Sequence, residues 1–157
     1  MTSALPAASH PHGTVIVVDD VEAMRDLVIT FLRRADATLT LVAASTAHQA
    51  LAMVESYASL GPDPDERVVV ISDVRMPGLD GMTLLRSLAA SPHHVHAILM
   101  TAFPDEGLRA RAQELGALAC FDKPFDLEVL GALVSRVVHA PVAETDEPPL
   151  ARSVRTP

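Results

Sequence analysis

The stretch Val68-Val69-Val70-Ile71-Ser72-Asp73-Val74-Arg75-Met76-Pro77-Gly78-Leu79-Asp80-Gly81 decides the fold. Its first four residues are apolar at every position, so the strand they form must be covered on both faces. That is the condition of a parallel sheet with helices on either side. Asp73 stands at the end of the strand. Met76-Pro77-Gly78 then breaks it, because Pro donates no ladder hydrogen bond and Gly suits a turn. An acidic residue at the mouth of a buried strand is where such a sheet does its chemistry.

Working outward, apolar runs alternate with helical spacing. The runs predict strands over 15–18, 39–43, 68–71, 97–100 and 118–121. Between them, Met24, Leu27, Val28, Phe31 and Leu32 form one apolar stripe, and Ala47, Ala50, Leu51 and Val54 a second, with Ser45 or Thr46 as its cap. Leu84, Leu85 and Leu88 mark a third helix. A fourth is predicted to begin at Pro104, with Asp105 and Glu106 in its first turn, and to end at Gly116. A fifth follows a cap at Asp126 and carries Leu127, Leu130, Val134 and Val137. No internal repeat is visible. Strand–helix alternation of this kind predicts an α/β domain with right-handed crossovers. Its ligands bind at the carboxyl ends of the strands, near a topological switch point.

Composition narrows the function classes. The chain has 157 residues, enough for one domain with short tails, and a net charge of −8, which argues against general nucleic-acid binding. Cys120 is the only cysteine, so an intrachain disulfide is impossible and a reducing, cytoplasmic setting is expected. No apolar run reaches the roughly 18 residues of a membrane-spanning helix, and residues 1–13 do not read as a secretory signal. Residues 1–13 and 140–157 are expected to be disordered tails, the latter Pro-rich, leaving 14–139 as the folded domain. Residues 61–66 read as a polar loop. His10 and His12 flank a proline in the first tail, and His93, His94 and His96 precede the fourth strand. The first pair reads as incidental, and the second group lacks the carboxylate or Cys partner at useful spacing that a metal site needs, so it reads as a loop.

The strand ends are more informative. The first strand leads to Asp19-Asp20, the third to Asp73, the fourth to Thr101 and the fifth to Lys123. Singly each has a plain reading: Asp20 a helix cap, Asp73 a turn residue, Thr101 a strand-end hydroxyl, Lys123 a solvated charge. Together they converge on one rim. Three carboxylates within roughly 4 Å repel by several kcal/mol per pair at an effective dielectric near 20. A hard divalent cation offsets that, and Mg²⁺ suits a few carboxylates, a main-chain carbonyl and retained waters. Lys123 is the only lysine beside eleven arginines, which singles out a place for a compact ammonium.

Four motifs carry a resemblance: Val17-Val18-Asp19-Asp20, the stretch from Ser72 to Gly81, Met100-Thr101-Ala102 and Asp122-Lys123-Pro124-Phe125. In this order the sequence resembles the receiver domains of two-component response regulators over about residues 14–139. The resemblance implies a flavodoxin-like three-layer α/β/α sandwich with a five-stranded parallel sheet of order 2-1-3-4-5. It implies that Asp73 accepts a phosphoryl group from a histidine kinase or histidine phosphotransfer protein. Asp20 then resembles the direct ligand of Mg²⁺, Asp19 a ligand acting largely through metal-bound water, and the carbonyl of Arg75 a third protein ligand beside Asp73. Thr101 and Lys123 resemble the hydroxyl and ammonium that grip the phosphoryl oxygens. A cis peptide between Lys123 and Pro124 is implied as well. The output would be a phosphorylation-dependent change in the fourth helix, fifth strand and fifth helix, read by a downstream protein. Such a chain is a switch, not a metabolic enzyme.

Two departures stand out. The family usually has Tyr or Phe three residues before the lysine, where this chain has Cys120, with Phe121 pointing to the other face. Only residues 140–157 follow, too few for the helix-turn-helix many relatives carry. A degenerate receiver acting as a phosphorylation-independent binding module is the alternative, but it would have lost part of the acidic pair, acceptor or lysine. A haloacid-dehalogenase-type phosphatase needs a second Asp where Arg75 stands, and a dinucleotide-binding domain needs glycines where Asp19-Asp20 stand.

Overall fold

Each of the apolar runs becomes a strand in the computed structural model, which describes residues 13–60 and 66–140. The strands are β1 (Gly13–Val18), β2 (Leu39–Ala44), β3 (Arg67–Asp73), β4 (Val95–Thr101) and β5 (Ala119–Asp122). They alternate with α1 (Glu22–Ala35), α2 (Ala47–Ser59), α3 (Gly81–Ala90), α4 (Glu106–Glu114) and α5 (Leu127–Val138). All neighbours pair in parallel, in the order β2-β1-β3-β4-β5. This is the flavodoxin-like order that the resemblance implied.

Side-chain alternation divides the core into two layers. Ile16, Val18, Val70 and Leu99 face one side and pack with Ala50 and Val54 of α2 and Leu84, Leu85 and Leu88 of α3. Val15, Val17, Val69, Ile71, Ile98 and Met100 face the other, against Val28 and Leu32 of α1 and Leu130 and Val134 of α5. Each fully buried Val, Leu or Ile contributes about 2 kcal/mol of transfer free energy. Phe121 belongs to the second layer while Cys120 borders the first. The aromatic has thus changed faces, as the one-residue offset requires.

Four helices start at side-chain caps: Thr46 accepts from the Gln49 amide, Asp80 from Thr83, Asp105 from Gly107 and Asp126 from Glu128. The fourth helix therefore begins at Glu106, not at Pro104. Asp105 is extended, with φ −143° and ψ 126°, and its carboxylate closes the first turn, so the two residues before Glu106 lie outside the helix. That helix ends as expected near Gly116, whose φ of +88° only glycine takes up without strain.

Strand boundaries also shift. Gly13, expected in the first tail, is the first residue of β1 and sits opposite Leu39 and Arg67. A Cβ there would meet Val138 of α5 at 2.7 Å, so the glycine allows the last turn of α5 to close over the strand. His96 falls inside β4 rather than before it. Apart from Ala140, the remaining tail residues lie outside the described residues, as do His10, His12 and positions 61–65 of the expected loop. Among the described residues no helix is long and apolar enough to cross a membrane.

Candidate functional site

The order β2-β1-β3 sets the position of the site. The chain leaves β1 toward β2 on one side, and later passes from β3 toward β4 on the other. A crevice therefore opens above the carboxyl ends of β1 and β3. Asp19 and Asp20 follow β1, and Asp73 is the last residue of β3. One carboxylate oxygen from each lies within 4.8 Å of the others. Among the described residues this is the one cluster of three or more His, Cys, Asp or Glu side chains able to hold a metal ion, and His93, His94 and His96 form none.

The three carboxylates are not equivalent. Asp19 is fully buried, and its oxygens are engaged: Oδ1 accepts from the Val21 amide at 2.9 Å and Oδ2 from Lys123 Nζ at 3.1 Å. Asp20 is exposed, and the cap position of α1 is Val21, which makes no side-chain cap hydrogen bond. The capping alternative for Asp20 therefore fails. Asp19 takes a similar role by bonding the Val21 amide. Asp73 is largely buried, with Oδ1 at 3.5 Å from Lys123 Nζ. Burial pushes its carboxyl above the ordinary range; Lys123 works against that shift and Asp19 adds to it.

Lys123 reaches this pocket from β5, and its peptide bond to Pro124 is cis. Its amide also donates to the Thr101 carbonyl at 2.7 Å, so the ends of β4 and β5 are joined beside the pocket. Thr101 is buried. Its hydroxyl accepts from the Phe103 amide at 3.0 Å and donates to the Phe103 carbonyl at 3.3 Å. The hydroxyl expected to donate to a phosphoryl oxygen is therefore occupied by the main chain in this conformation. The Arg75 guanidinium stacks over the Phe103 ring, 4.2 Å from its centroid, linking the loops that follow β3 and β4.

Three contributors were not read from the sequence. Arg25 Nη1 donates to the Asp19 carbonyl at 2.6 Å, holding the acidic loop from one turn into α1. Nothing in its local sequence marks it. Gly81 brings α3 against the acceptor: its amide bonds the Val74 carbonyl at 2.8 Å, and a Cβ would lie 2.4 Å from the Asp73 carbonyl oxygen. That close approach explains the glycine in Asp80-Gly81. The pairing of Arg75 with Phe103 joins two loops distant in sequence, so no local signal exists for it.

The donor set fits a hard divalent cation. It offers three carboxylates, of which Asp20 is exposed and Asp73 is destabilised in its charged form by burial and by Asp19. Residues 15–135 match the response regulator receiver domain family. The chain is 35% identical over 126 residues to the DNA-binding transcriptional regulator NtrC of Escherichia coli, covering 80% of this chain and 25% of that protein. It is 33% identical over 127 residues to the transcriptional regulatory protein FixJ of Bradyrhizobium diazoefficiens, covering 81% of this chain and 57% of the other. The chain thus spans about a quarter of NtrC and somewhat over half of FixJ. The signal receiver domain of a DNA-binding response regulator from Colwellia psychrerythraea has the same fold, with a TM-score of 0.69 at 23% identity over 80% of this chain and 97% of that one.

Proposed function

The chain belongs to the response regulator receiver domain family, and on that premise we propose that Asp73 is its phosphoryl acceptor. The donor is a phosphohistidine on a partner histidine kinase or histidine phosphotransfer protein. An Asp73 carboxylate oxygen attacks phosphorus, the P–N bond breaks, and the imidazole leaves with the electron pair. The observation that carries this reading is the meeting of Asp19, Asp20 and Asp73 within 4.8 Å, with Lys123 Nζ at 3.1 Å from Asp19 and 3.5 Å from Asp73.

The residues divide the work by chemistry. Asp19, Asp20, Asp73 and the Arg75 carbonyl would hold Mg²⁺, which supplies neutralisation of phosphoryl charge when bound. Lys123 brings a positive charge to the same pocket and pairs with a phosphoryl oxygen. Thr101 donates its hydroxyl to a second oxygen once it gives up the Phe103 carbonyl. The modified Asp73 then favours a conformation whose α4, β5 and α5 surface a downstream protein reads. A net charge of −8 supports a protein target over direct nucleic-acid contact. The setting is the cytoplasm, where the free Cys120 thiol is stable.

Incubation with Mg²⁺ and acetyl phosphate tests the acceptor. Intact mass should rise by one phosphoryl group, Asp73→Asn should take up none, and omission of the metal should suppress the labelling. Undiminished labelling of the Asn variant would sink the assignment.

A further inference from the structure

The fourth helix is held to the sheet by little apolar surface. Of its nine residues only Ala112 is buried, with Leu108 partly packed against the same layer. Its polar fastening is Arg109, whose guanidinium makes an ion pair with Asp122 at the end of β5 and a second contact to Glu106 Oε1 at 3.4 Å. Arg109 is the only ion-pair partner of Asp122 among the described residues. The other oxygen of that carboxylate, Oδ1, is buried and accepts no hydrogen bond there. Arg109 is therefore the charged group that faces Asp122 in the fold. Losing Arg109 would leave the half-exposed Asp122 carboxylate to solvent and remove the ion pair between α4 and β5.

Asp122 is also where the output helix meets the phosphoryl site. It lies opposite Thr101 in the β4–β5 register, and its neighbour Lys123 bonds the Thr101 carbonyl and reaches Asp19 and Asp73. From Thr101 the chain runs through Phe103 directly into α4. For Thr101 to offer its hydroxyl to Asp73 it must release the Phe103 carbonyl, and Phe103 lies in the loop that leads into α4. The pair and the engagement of Thr101 by the Phe103 main chain are present together in this conformation.

We propose that Arg109 and Asp122 form a latch that holds α4 on β5 in the resting conformation and sets how readily the domain switches. The latch rests on the receiver reading above. Arg109 and Asp122 are positioning residues: neither touches the phosphoryl group. Because coupling is reciprocal, whatever weakens the latch must strengthen binding of a phosphoryl group or its mimic.

Beryllofluoride with Mg²⁺, titrated into the full chain and followed by backbone amide NMR, provides the test. Arg109→Gln and Asp122→Asn should each bind the mimic more tightly, by about 5-fold or more. The double variant should gain no more than either single one, because both remove the same contact. The charge-exchanged pair, Arg109→Asp with Asp122→Arg, should return affinity toward the parent. Arg109→Lys keeps the charge without the fork and should fall between parent and Gln variant, which also covers a Gln variant too unstable to titrate. Variants that lose stability yet bind the mimic with parental affinity, or bind it more weakly, overturn the latch. A parent that does not respond to the mimic at all overturns the receiver reading, and the latch with it.

Discussion

Lys123 Nζ lies 3.1 Å from Oδ2 of Asp19, closer than its 3.5 Å to Asp73. The lysine that completes the phosphoryl site is, in this conformation, the counter-ion of the most buried acid of the cluster. Lys123 and a divalent cation thus neutralise the same carboxylates. This gives the metal-free pocket a way to tolerate its charge.

Replacing Lys123 by Met should therefore destabilise the metal-free protein. Removing one partner of a buried pair leaves uncompensated charge at a cost of about 3 kcal/mol. Mg²⁺ should restore more stability in the variant than in the parent, since it finds the pocket less neutralised. Thermal unfolding with and without millimolar Mg²⁺ checks this, and equal metal gains in both proteins would contradict it.

Asp73 carries a pH signature. Burial raises its carboxyl in the folded protein, so the folded state resists ionisation. A group with a raised acidic pKa costs stability once pH exceeds its unfolded value, about 3.9, and the cost is complete above the folded value. Without metal, Asp73→Asn should be more stable than the parent near pH 7. The advantage should shrink as pH falls from the raised folded value toward about 4 and be gone below it. Urea unfolding in chelator across that range measures it.

Asp36 should show the opposite sign. Burial alone would raise its carboxyl, but hydrogen bonds from the Thr38 side chain and His139, together with the Thr38 amide, outweigh it and hold it below the ordinary range. Its Oδ2 lies 2.7 Å from His139 Nε2, tying the end of α1 to the end of α5. The stabilisation is present above the unfolded value near 3.9 and lost as pH falls through the lower folded value. Asp36→Ala should cost about 2 kcal/mol at pH 6, and the cost should shrink as pH falls below about 3.9, read from urea midpoints.

Two helical glycines should respond differently to alanine. At Gly81 the added Cβ meets the Asp73 carbonyl oxygen at 2.4 Å and Val74 Cα at 2.8 Å, both backbone atoms. Gly81→Ala should cost about 2 kcal/mol and lower the rate of acceptor labelling. At Gly131 the Cβ meets only the Phe31 ring edge, at 2.8 Å, which can swing aside. Its overpacking is offset by a helix-propensity gain of about 1 kcal/mol, so Gly131→Ala should stay near parental stability with normal labelling. Equal losses at both positions would refute the distinction between backbone and side-chain clashes.

What the sequence determined by itself was the set of elements and the membership of the rim. Val68-Val69-Val70-Ile71 had to be covered on both faces, and Ser45 or Thr46 and Asp126 had the chemistry to start helices where they stand. These are local facts, readable wherever apolar period and capping chemistry agree. The motifs around Asp19-Asp20, Asp73, Thr101 and Lys123 likewise stood in the right order before any coordinates. Three-dimensional placement decided the rest. That Asp105 rather than Pro104 opens α4 depended on which of two adjacent competent residues took the extended cap conformation. The hold of Arg25 on the Asp19 carbonyl, the stacking of Arg75 on Phe103 and the tie of Arg109 to Asp122 join residues that periodicity does not relate. Their energies arise only when parallel pairing brings separate strand ends to one rim. The occupation of Thr101 by the Phe103 main chain is a property of one conformation, and a sequence encodes the ensemble from which that conformation is drawn.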